Sequence, residues 1–430
     1  MLKFIDLFAG IGGLRLGFEN ACKSLEIKSK CVLSSEINSK SCETYYLNFG
    51  ESPKGDIHLI NDIEDFDFLL GGFPCQPFSH AGKQLGFGDT RGTLFYEIER
   101  ILLAKKPKAF LLENVRGLQS HDKGRTLETI ISHLENAGYG VRYILANSSD
   151  YGVPQNRLRI YIFGILNDKP KFSLRSDNGA ADTHKYKQNN NQPELFSKKN
   201  NACFLRSILE DNPDPKYNCS PKFTQMLSNV VGKDFNKLHG VRLIDFRGGN
   251  SIHSWELGIK GKCYSDEINF MNLLISNRRK KMFGVDQDGK MLTIDQIKTF
   301  YPNNNLKDIL KSLLDKGYLK QKEGKYNPVC GNMSFEIFKF LDPDSIAITL
   351  VSSDAHKLGV VQNDIPRRLT PRECARLQSF PDSFILNPVD SLSYMQLGNS
   401  VTVKVVEAIS KDILTCNKEY FNFQKSYSKA

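Results

Sequence analysis

The sequence predicts an α/β fold, in which a parallel sheet is covered by helices on both faces and a large second domain is inserted. Three observations lead to this prediction. Short apolar runs alternate with amphipathic helical patterns over residues 1–165, as in folds whose parallel strands are joined by crossover helices. A glycine-rich turn follows the first apolar run and precedes a helical pattern. After residue 166 the composition changes and the alternation stops.

The strands follow from short apolar runs bounded by turn residues. We expect seven of them, at Leu2–Phe8, Cys31–Ser35, Asp56–Ile60, Phe66–Leu70, Ala109–Leu112, Tyr143–Ala146 and Ile160–Ile165. Apolar residues spaced three or four apart predict the helices between them. These patterns run through Leu14, Phe18 and Ala21, through Leu94, Ile98, Ile101 and Leu102, and through Leu127, Ile130, Ile131 and Leu134.

The middle of the chain carries two different patterns. Residues 167–202 are polar, rich in Asn and Lys and without periodicity, which predicts a surface linker or long loop. Over residues 291–329 regular structure returns, because Thr293 and Gln296 form a capping-box pattern before a short helix. A second helix and a basic hairpin turning at Gly324 would follow. This order is typical of a winged-helix DNA-binding unit, with an ordinary helical insert as the alternative.

Composition limits the classes of protein. The 430 residues are 40% hydrophobic and 25% charged, which is the globular range, and the length corresponds to two or three domains. No stretch approaches 18 uninterrupted apolar residues, and the first residues lack the features of a signal peptide. We therefore expect a cytoplasmic protein without a membrane span. The ten cysteines include no CxxC pair, which argues against both disulfides and a zinc site.

The charge of the chain favours a polyanionic partner. The net charge is +10, and most of the excess lies in the middle of the chain. Residues 166–365 carry 30 Lys and Arg against 23 Asp and Glu, whereas the remaining residues carry 28 against 25. Because cationic surfaces attract phosphates, the middle region is the expected nucleic-acid surface.

The segment DLFAGIGG, Asp6 to Gly13, is the first that carries chemistry. Its glycines allow a ligand to approach the backbone closely, and the start of the next helix supplies N–H donors. Glu36 ends the second predicted strand, 23 residues after Gly13, where a ribose-binding carboxylate belongs in a nucleotide-binding fold. Asp62 is a candidate to accept a hydrogen bond from an adenine amino group. A structural turn is the alternative, but with Glu36 a nucleoside-containing cofactor is favoured.

A second segment, GGFPCQPFS from Gly71 to Ser79, directly follows a predicted strand. Cys75 lies between Pro74 and Gln76 in a loop at the carboxyl end of that strand, the edge where open α/β sheets bind ligands. A thiol there can act as a nucleophile once it is deprotonated. Most cysteines are core residues, but a loop rich in Gly and Pro is a poor place for a core cysteine.

Charged residues also mark two later strands. FLLENVRG places Glu113 and Asn114 at the tip of a buried strand, at the same sheet edge as Cys75, which predicts paired acid/base and nucleophile roles. In YGVPQNRLRIYIFGI, Arg157 and Arg159 alternate and would project from one face, where they could hold a phosphate or a carbonyl oxygen. Ion pairs or, for Glu113, a helix cap are the alternative roles.

Together these segments resemble the bacterial DNA (cytosine-5) methyltransferases of restriction–modification systems. The matching blocks are DLFAGIGG, the PCQ loop, DTRGTLF at 89–95, ENV at 113–115, QNRLR at 155–159, RRLTPRECARLQSFP at 367–381 and QLGNSV at 396–401. They run in the family's order and cover roughly half of the chain. The resemblance implies a Rossmann-like S-adenosyl-methionine-dependent methyltransferase sheet with a large inserted target-recognition domain.

The resemblance implies a site for S-adenosyl-L-methionine. Phe8 would stack on the adenine, Glu36 would hold the ribose hydroxyls and Asp62 the adenine amine. The other cofactor-binding residues that it implies are Gly10, Gly12, Gly13, Ile37, Pro74, Leu94, Asn399 and Ser400. The family often has an aromatic residue where this chain has Ile37, so one stacking contact is weaker here.

The resemblance also implies the catalytic roles. Cys75 would attack carbon 6 of cytosine, Glu113 would contact ring nitrogen 3 and Arg159 would hold the exocyclic oxygen. Arg157 would lie close to the phosphodiester and the catalytic loop. Because the target atoms are hidden in the base stack, the cytosine must flip out of the duplex. The candidate DNA contacts are Ser79, Arg157, Arg242, Arg247, Arg278 and Arg279.

We expect residues 1–170 to form the catalytic and cofactor-binding domain, completed by 396–430, with 171–365 as the target-recognition domain and 366–395 as a hinge. The enzyme would act as a monomer on double-stranded DNA, with a cognate restriction endonuclease as a functional but not physical partner. Two alternatives stay open: a tRNA cytosine-5 methyltransferase of the same fold, and a catalytically silent DNA-binding relative. The basic insert favours duplex DNA, and the retained catalytic residues argue against a silent relative.

Overall fold

The computed structural model describes residues 1–73, 94–174, 203–284, 290–329 and 335–421. The chain divides into two compact units. Unit 1 comprises Met1–Ile208, Ile346–Ala355 and Pro371–Ala430, and unit 2 comprises Leu209–Ser345 and His356–Thr370. Unit 1 thus holds the first and the last sequence blocks, together with residues 371–395 of the expected hinge. Among the described residues, no helix combines the length and the apolar character needed to cross a membrane.

The described part of unit 1 contains a six-stranded sheet and its covering helices. The strands are β1 (Leu2–Leu7), β2 (Ser29–Ser35), β3 (Phe68–Gly72), β4 (Ala109–Val115), β5 (Tyr139–Asn147) and β6 (Leu158–Leu166). The helices are α1 (Gly13–Ser24), α2 (Ser39–Phe49), α3 (Leu94–Lys105), α4 (Gly117–Ser120), α5 (Arg125–Asn136), α11 (Pro371–Leu377), α12 (Asp390–Asn399) and α13 (Val403–Cys416).

The sheet of unit 1 has the strand order β2-β1-β3-β4-β6-β5. The first four strands in this order pair in parallel, whereas β6 runs antiparallel to both β4 and β5. The predicted α/β fold is therefore confirmed, but the sheet is mixed and not parallel throughout as predicted, because β6 runs in the opposite direction. The carboxyl ends of the four parallel strands meet at one edge, which is where open sheets of this kind bind ligands.

The strand predicted at Asp56–Ile60 is wrong. Residues 57–59 form a 3₁₀ turn, because Asp56 accepts a hydrogen bond from the backbone N–H of His58 (3.0 Å). Such local bonds between an aspartate and the chain compete with strand formation. The isoleucines of this run are nevertheless buried in the core, which accounts for its strand-like pattern. The other predicted strands are present, with ends shifted by up to four residues.

Helices cover both faces of the sheet. One face packs against α3 and α5, and the other packs against α1 and α13. Core residues include Leu69, Ile98 and Ile130 on the first face, and Phe18, Phe68 and Ile409 on the second. Helices α1 and α13 approach so closely that a side chain at Gly17 would collide with Val406. The two helices share one core, although about 380 residues separate them in the chain.

The start of the predicted linker belongs to the folded part of unit 1. Phe172 is buried, and the backbone N–H of Lys171 donates to Oδ1 of Asn417 (2.8 Å), just beyond α13. Residues 167–174 form neither a helix nor a strand, as expected of a loop, and they are held against the sheet domain. Residues 175–202 lie outside the described residues.

Unit 2 contains two smaller sheets in its described part. The strands are β7 (Arg242–Leu243), β8 (Ser251–Ile252), β9 (Leu292–Thr293), β10 (Leu319–Lys322), β11 (Lys325–Pro328), β12 (Lys339–Phe340), β13 (Leu358–Gln362) and β14 (Ile365–Arg368). The helices are α6 (Pro221–Val231), α7 (Ser254–Leu257), α8 (Ser265–Asn277), α9 (Ile294–Lys298) and α10 (Leu306–Asp315). One sheet has the order β14-β13-β12-β7-β8, and the other has the order β10-β11-β9.

The elements predicted between residues 291 and 329 are present. Thr293 and Gln296 form the capping box at the start of α9, and α10 follows with one buried apolar face. Strands β10 and β11 form an antiparallel hairpin. Its turn consists of Glu323 and Gly324, both with positive φ, as a tight two-residue hairpin turn requires. Helix α8 was not predicted.

Candidate active site

The turn between β1 and α1 lies at the carboxyl edge of the sheet. Its backbone is left-handed at Gly10 and Gly12, with φ of 55° and 86°, which favours glycine at both positions. The side chain of Glu36 holds the turn, because the backbone N–H of Gly10 donates to Glu36 Oε2 (2.8 Å). Glu36 Oε1 accepts from the backbone N–H of Asn38 (2.8 Å). Each carboxylate oxygen keeps a further lone pair for a ligand.

The glycines of this turn differ in what surrounds them. A Cβ at Gly13 would lie 2.6 Å from Oγ of Ser400, so the start of α1 and the residue after α12 are in close contact. A Cβ at Gly12 would overlap the ring of Phe49. At Gly10, by contrast, a Cβ would meet no atom of the described residues within 4 Å. The turn is closely packed at Gly12 and Gly13 and open at Gly10.

The other described candidates for cofactor binding keep part of their surface accessible. Phe8, on the turn itself, and Leu94, the first residue of α3, are half-buried. Ile37 is 77% exposed, and Asp62 and Asn399 are exposed. None of these five side chains is enclosed in the core, so each can contact a ligand.

Strand β3 leads towards the predicted nucleophile. It ends at Gly72, and Pro74, Cys75 and Ser79 follow within residues 74–93, which lie outside the described residues. On the neighbouring strand β4, Glu113 is paired in register with Gly72. The predicted acid/base residue is therefore beside the end of the strand that leads to Cys75.

Asn114 holds the chain where it leaves β3. Its buried side chain donates from Nδ2 to the backbone oxygen of Phe73 (2.9 Å), and its Oδ1 accepts from the backbone N–H of Val115 (2.8 Å). The sequence analysis placed Asn114 at the strand tip without a role. In the structure Asn114 has a positioning role, because its side chain holds Phe73, the residue before Pro74 and Cys75.

Glu113 and Arg159 form a largely buried ion pair. Arg159 Nε lies 3.3 Å from Glu113 Oε1, and the side chains are 14% and 12% exposed. Burial raises the pKa of Glu113 above its ordinary value, while the cations of Arg159 and Arg157 oppose this effect only in part. Glu113 is therefore protonated more readily than an exposed glutamate.

Arg157 has different partners from Arg159. Its Nη1 donates to the backbone oxygen of Leu350 (2.6 Å), and its Nη2 donates to the backbone oxygens of Gly398 (3.4 Å) and Ser400. The Arg157 side chain is enclosed within unit 1, where it is 3% exposed, and the expectation that both arginines project from one face stays a prediction. Burial, with the neighbouring cation, lowers the pKa of Arg157 to about 9, so it stays charged at neutral pH.

A buried polar network lies beside Arg157. Gln155 Nε2 donates to the backbone oxygen of Leu377 (2.6 Å), and its Oε1 accepts from the backbone N–H of Leu350 (2.8 Å). Gln378 Oε1 accepts from Thr402 Oγ1 (2.9 Å). These bonds join three distant segments of unit 1. The sequence analysis missed Gln378 and Thr402 as positioning residues, although Gln378 lies within a matching block.

Asp6 is buried in β1, just before the turn. Neither of its carboxylate oxygens has a hydrogen-bond partner among the described residues. The nearby cation of Arg15 is engaged with Tyr45 Oη (3.0 Å) and Glu19 (2.8 Å). Burial raises the pKa of Asp6 well above its ordinary value, and Arg15 offsets this only in part. In the folded protein, Asp6 therefore keeps its proton where an exposed aspartate has lost it.

Burial of the Asp6 carboxyl should make the wild-type protein less stable as the pH rises, and Asp6→Asn should be free of this effect. The folded-state pKa of Asp6 lies above the unfolded value of about 3.9, so the folded state binds more protons. Its contribution to the free energy of unfolding is complete below about pH 4 and falls as the pH rises through the folded pKa. In urea unfolding, the free energy of unfolding of Asp6→Asn relative to that of the wild type should increase by about 1–3 kcal/mol between pH 4 and pH 8.

Asp65→Asn is the control for this series, because Asp65 is 95% exposed and its ion pair with Lys105 lies at the surface. Its free energy of unfolding should follow that of the wild type across the pH range, within about 0.5 kcal/mol. An Asp6→Asn curve that also runs parallel to the wild type would contradict the raised pKa of Asp6.

The candidate DNA-contacting arginines of unit 2 differ in exposure. Arg247 and Arg279 are exposed, and Arg242 in β7 is half-buried. Arg278 is only 2% exposed and donates to Oδ1 of Asn327 on β11. The structure thus places Arg278 in the interior of unit 2 and not on a surface that could face DNA. A buried guanidinium of this kind supports the fold through its hydrogen bonds.

Comparisons with known proteins bear on the whole chain. A family model described as C-5 cytosine-specific DNA methylase matches residues 2–415. Type II methyltransferase M.BanI of Aneurinibacillus aneurinilyticus is 66% identical over 416 residues, which cover 97% of this chain and 96% of that protein. Type II methyltransferase M.HgiCI of Herpetosiphon aurantiacus is 62% identical over 413 residues, which cover 96% of this chain and 98% of that protein.

The fold also has a solved counterpart. The crystal structure of the S. pombe Dnmt2 methyltransferase matches with a TM-score of 0.53 and 20% identity, covering 98% of this chain and 100% of that chain. This likeness agrees with the Rossmann-like methyltransferase sheet that the resemblance implied. The predicted family and enzyme class are thus confirmed by the family match and the two close relatives. The chain belongs to the C-5 cytosine-specific DNA methylase family.

Proposed function

We propose that this chain methylates carbon 5 of a flipped-out cytosine within a specific double-stranded DNA sequence, and thereby protects host DNA from a cognate restriction endonuclease. The observation that carries the proposal is the sheet edge where Glu113 lies between Arg159 and the end of the strand that leads to Cys75. Relatives 66% and 62% identical to this chain are named type II methyltransferases. The match to a DNA methylase model favours DNA over tRNA as the substrate.

The turn after β1 fits S-adenosyl-L-methionine as the cofactor. Glu36 is held against an open stretch of backbone and keeps lone pairs for the ribose hydroxyls. Phe8 would stack on the adenine, Asp62 would accept from its amino group, and Asn399 and Ser400 would complete the pocket. When bound, the cofactor supplies an electrophilic methyl group on sulfur.

Cys75 would supply the nucleophile. Addition of its thiolate to carbon 6 makes carbon 5 of the cytosine enamine-like, so that carbon 5 can take the methyl group. Transfer of the carbon-5 proton to a base and elimination of the thiolate then restore the aromatic ring and the free enzyme. A thiol with a pKa of about 8.5 is only a few per cent ionised near pH 7, so the site must favour the anion.

Glu113 and Arg159 would stabilise the adduct. Addition at carbon 6 raises the electron density on ring nitrogen 3 and on the exocyclic oxygen. A protonated Glu113 can donate to nitrogen 3, and burial favours its protonated form. Arg159 Nε lies 3.3 Å from Glu113 Oε1 and Nη1 donates to the backbone oxygen of Leu158 (3.0 Å), so we assign Nη2 to the exocyclic oxygen.

We assign target recognition to unit 2, which contains most of the basic middle region. Arg242, Arg247 and Arg279 are the contacts proposed there, with Ser79 close to the nucleophile. The enzyme would act as a monomer in the cytoplasm. The restriction endonuclease would be a functional and not a physical partner, because both proteins need only read the same DNA sequence.

Transfer of a tritium-labelled methyl group from S-adenosyl-L-methionine tests the proposal directly. Duplex plasmid DNA should become labelled, whereas tRNA should not. Bisulfite sequencing of plasmid from a host that expresses the chain should then place the methyl groups on one cytosine of one short sequence. The Cys75→Ser chain serves as the blank. Label on tRNA alone, or none on either substrate, would exclude the proposed activity.

A further inference from the structure

Residues 265–328 of unit 2 have the order of a complete winged helix. Along the chain the elements are helix, strand, helix, helix, strand, strand, namely α8, β9, α9, α10, β10 and β11. The sheet order β10-β11-β9 places the first strand beside the last, and both pairings are antiparallel. Helix α8, which the sequence analysis did not identify, supplies the first helix of this arrangement.

This region has its own hydrophobic core. The core is separate from the one around the five-stranded sheet of unit 2. Its buried residues include Phe270, Leu274, Leu292, Ile297, Leu306, Leu310, Leu313, Leu319 and Tyr326, so all six elements contribute. The loop after α8 is tied to the hairpin by the hydrogen bond from Arg278 to Asn327. We call residues 265–328 the winged-helix module.

One face of α10 is exposed in the part of the chain that the structure describes. Leu306, Leu310 and other apolar residues of α10 are buried in the module, and the Glu267 carboxylate of α8 accepts from Ser312 Oγ (2.6 Å) and Lys316 Nζ (2.6 Å). At 3.6 residues per turn, Lys307 and Lys311 lie on the face opposite the core and away from Ser312. Both are exposed. In helix-turn-helix folds, this helix is the one that enters the major groove.

The hairpin presents a second basic edge. Lys320, Lys322 and Lys325 are exposed on either side of its tight turn, and the single acidic residue there is Glu323. Three cations within six residues of a projecting hairpin suit the closely spaced phosphates of a duplex.

The charge and polarity of the winged-helix module favour DNA over a protein as its partner. The sequence of residues 265–328 has 12 Lys and Arg against 8 Asp and Glu. Among the described residues of the module, Met282 is the one large apolar side chain that is exposed (71%), and none is exposed between residues 290 and 328, whereas a protein-docking face would offer several apolar and aromatic anchors. Asp308 and Asp315 on α10 cannot bind phosphate, but carboxylates accept from cytosine amino groups in the major groove.

We propose that the winged-helix module reads DNA, with α10 in the major groove and the hairpin 320–325 against the phosphate backbone. The inference rests on the proposed function and deepens it, since it assigns recognition within unit 2 to one module and one helix. A ten-residue helix is about 15 Å long, which is enough to span the width of the major groove.

Two double variants of the full chain test the module. Lys307→Gln with Lys311→Gln removes the helix cations, and Lys320→Gln with Lys322→Gln removes hairpin cations. The matched control is Lys222→Gln with Lys233→Gln, since both of these lysines are exposed in unit 2 outside the module. Dissociation constants are measured over a salt series with a duplex that carries the methylated sequence. Thermal melting checks that every variant is folded.

Each module variant should bind the duplex about tenfold more weakly, and the slope of log affinity against log salt should flatten by about one to two. The control should change neither quantity. A photo-crosslinking amino acid should attach to the duplex from position 311 and not from position 233. Module variants that match the control in affinity and slope, or crosslinking from 233 in place of 311, would overturn the inference.

The proposed function and this inference fail in different ways. If the wild type methylates duplex DNA but the module variants behave like the control, recognition lies elsewhere and the activity stands. If the wild type transfers no methyl group to DNA, the activity fails. The binding and crosslinking measurements then still decide whether the module contacts a duplex.

Discussion

Replacing Cys75 by serine should lower methyl transfer at least about a thousandfold, because a serine hydroxyl is hardly ionised at neutral pH. With 5-fluorocytosine at the target position, the wild-type chain should form a complex with DNA that resists denaturation. Fluorine on carbon 5 cannot leave as a proton does, so the thiolate is not eliminated after methyl transfer. Cys75→Ser should form no such complex, yet it should still bind DNA through phosphate contacts. Tritium transfer and denaturing gels measure the two effects.

Cys203→Ser is the matched control for this experiment. Cys203 is partly exposed, with its sulfur 3.1 Å from Ser207 Oγ, so serine fits there at little cost. Cys22 and Cys31 are poorer controls because they are buried in the core. The control should keep both turnover and trapping. Peptide mapping of the DNA adduct to a cysteine other than Cys75 would refute its nucleophilic role.

Arg157→Ala should be the most destabilising of the arginine substitutions discussed here, and it should also weaken cofactor binding. Removal of the guanidinium leaves the carbonyls of Leu350, Gly398 and Ser400 without their donor, which we expect to cost about 3–5 kcal/mol of unfolding free energy. Gly398 and Ser400 flank Asn399, a proposed cofactor residue, so the pocket should lose its geometry too. Urea unfolding and calorimetric titration with S-adenosyl-L-methionine measure the two losses.

Arg157→Lys and Arg125→Ala complete this test. Lysine keeps the charge but cannot reach three carbonyls with one ammonium group, so it should fall between the wild type and Arg157→Ala in both measurements. Arg125 is 69% exposed and pairs with Asp122 at the surface, so its loss should leave the free energy of unfolding and the cofactor affinity close to those of the wild type. Cofactor affinity that is unchanged in Arg157→Ala would show that Arg157 serves the fold alone.

Local sequence patterns predicted most of the sheet, because buried strands appear as short apolar runs and amphipathic helices as apolar residues three or four apart. The strand expected at Asp56–Ile60 shows the limit of such patterns. A short apolar run is buried in either a strand or a turn, and the bond from His58 to Asp56 decides between them. Helix α8 was missed because polar residues interrupt its apolar pattern and no break marks its ends as clearly as the capping box at Thr293 does.

In the candidate site, too, the sequence predicts the positions of some residues and not of others. Glu36 follows β2 and Glu113 lies near the end of β4, so their positions at the sheet edge could be predicted from the order of elements. The family resemblance implied that Arg157 lies close to the phosphodiester. Its actual partners lie about 190 to 240 residues away in the chain, and no local pattern records such contacts. Arg278 shows the same limit, because a basic run does not reveal which of its cations is buried.

The packing of α13 on α1 determines when unit 1 can finish folding during synthesis. The ribosome completes α1 at residue 24, but the helix that covers it ends at residue 416. At about 5–20 residues per second, roughly 20–80 s separate the two events. Until then α1 can pack on the strands through Phe18, which contacts Phe4 and Phe68, but it lacks α13 at Gly17, and the turn at Gly13 lacks its neighbour Ser400. The contacts of α1 with α13 and of Gly13 with Ser400 can therefore be complete only after residue 416 has been added to the growing chain.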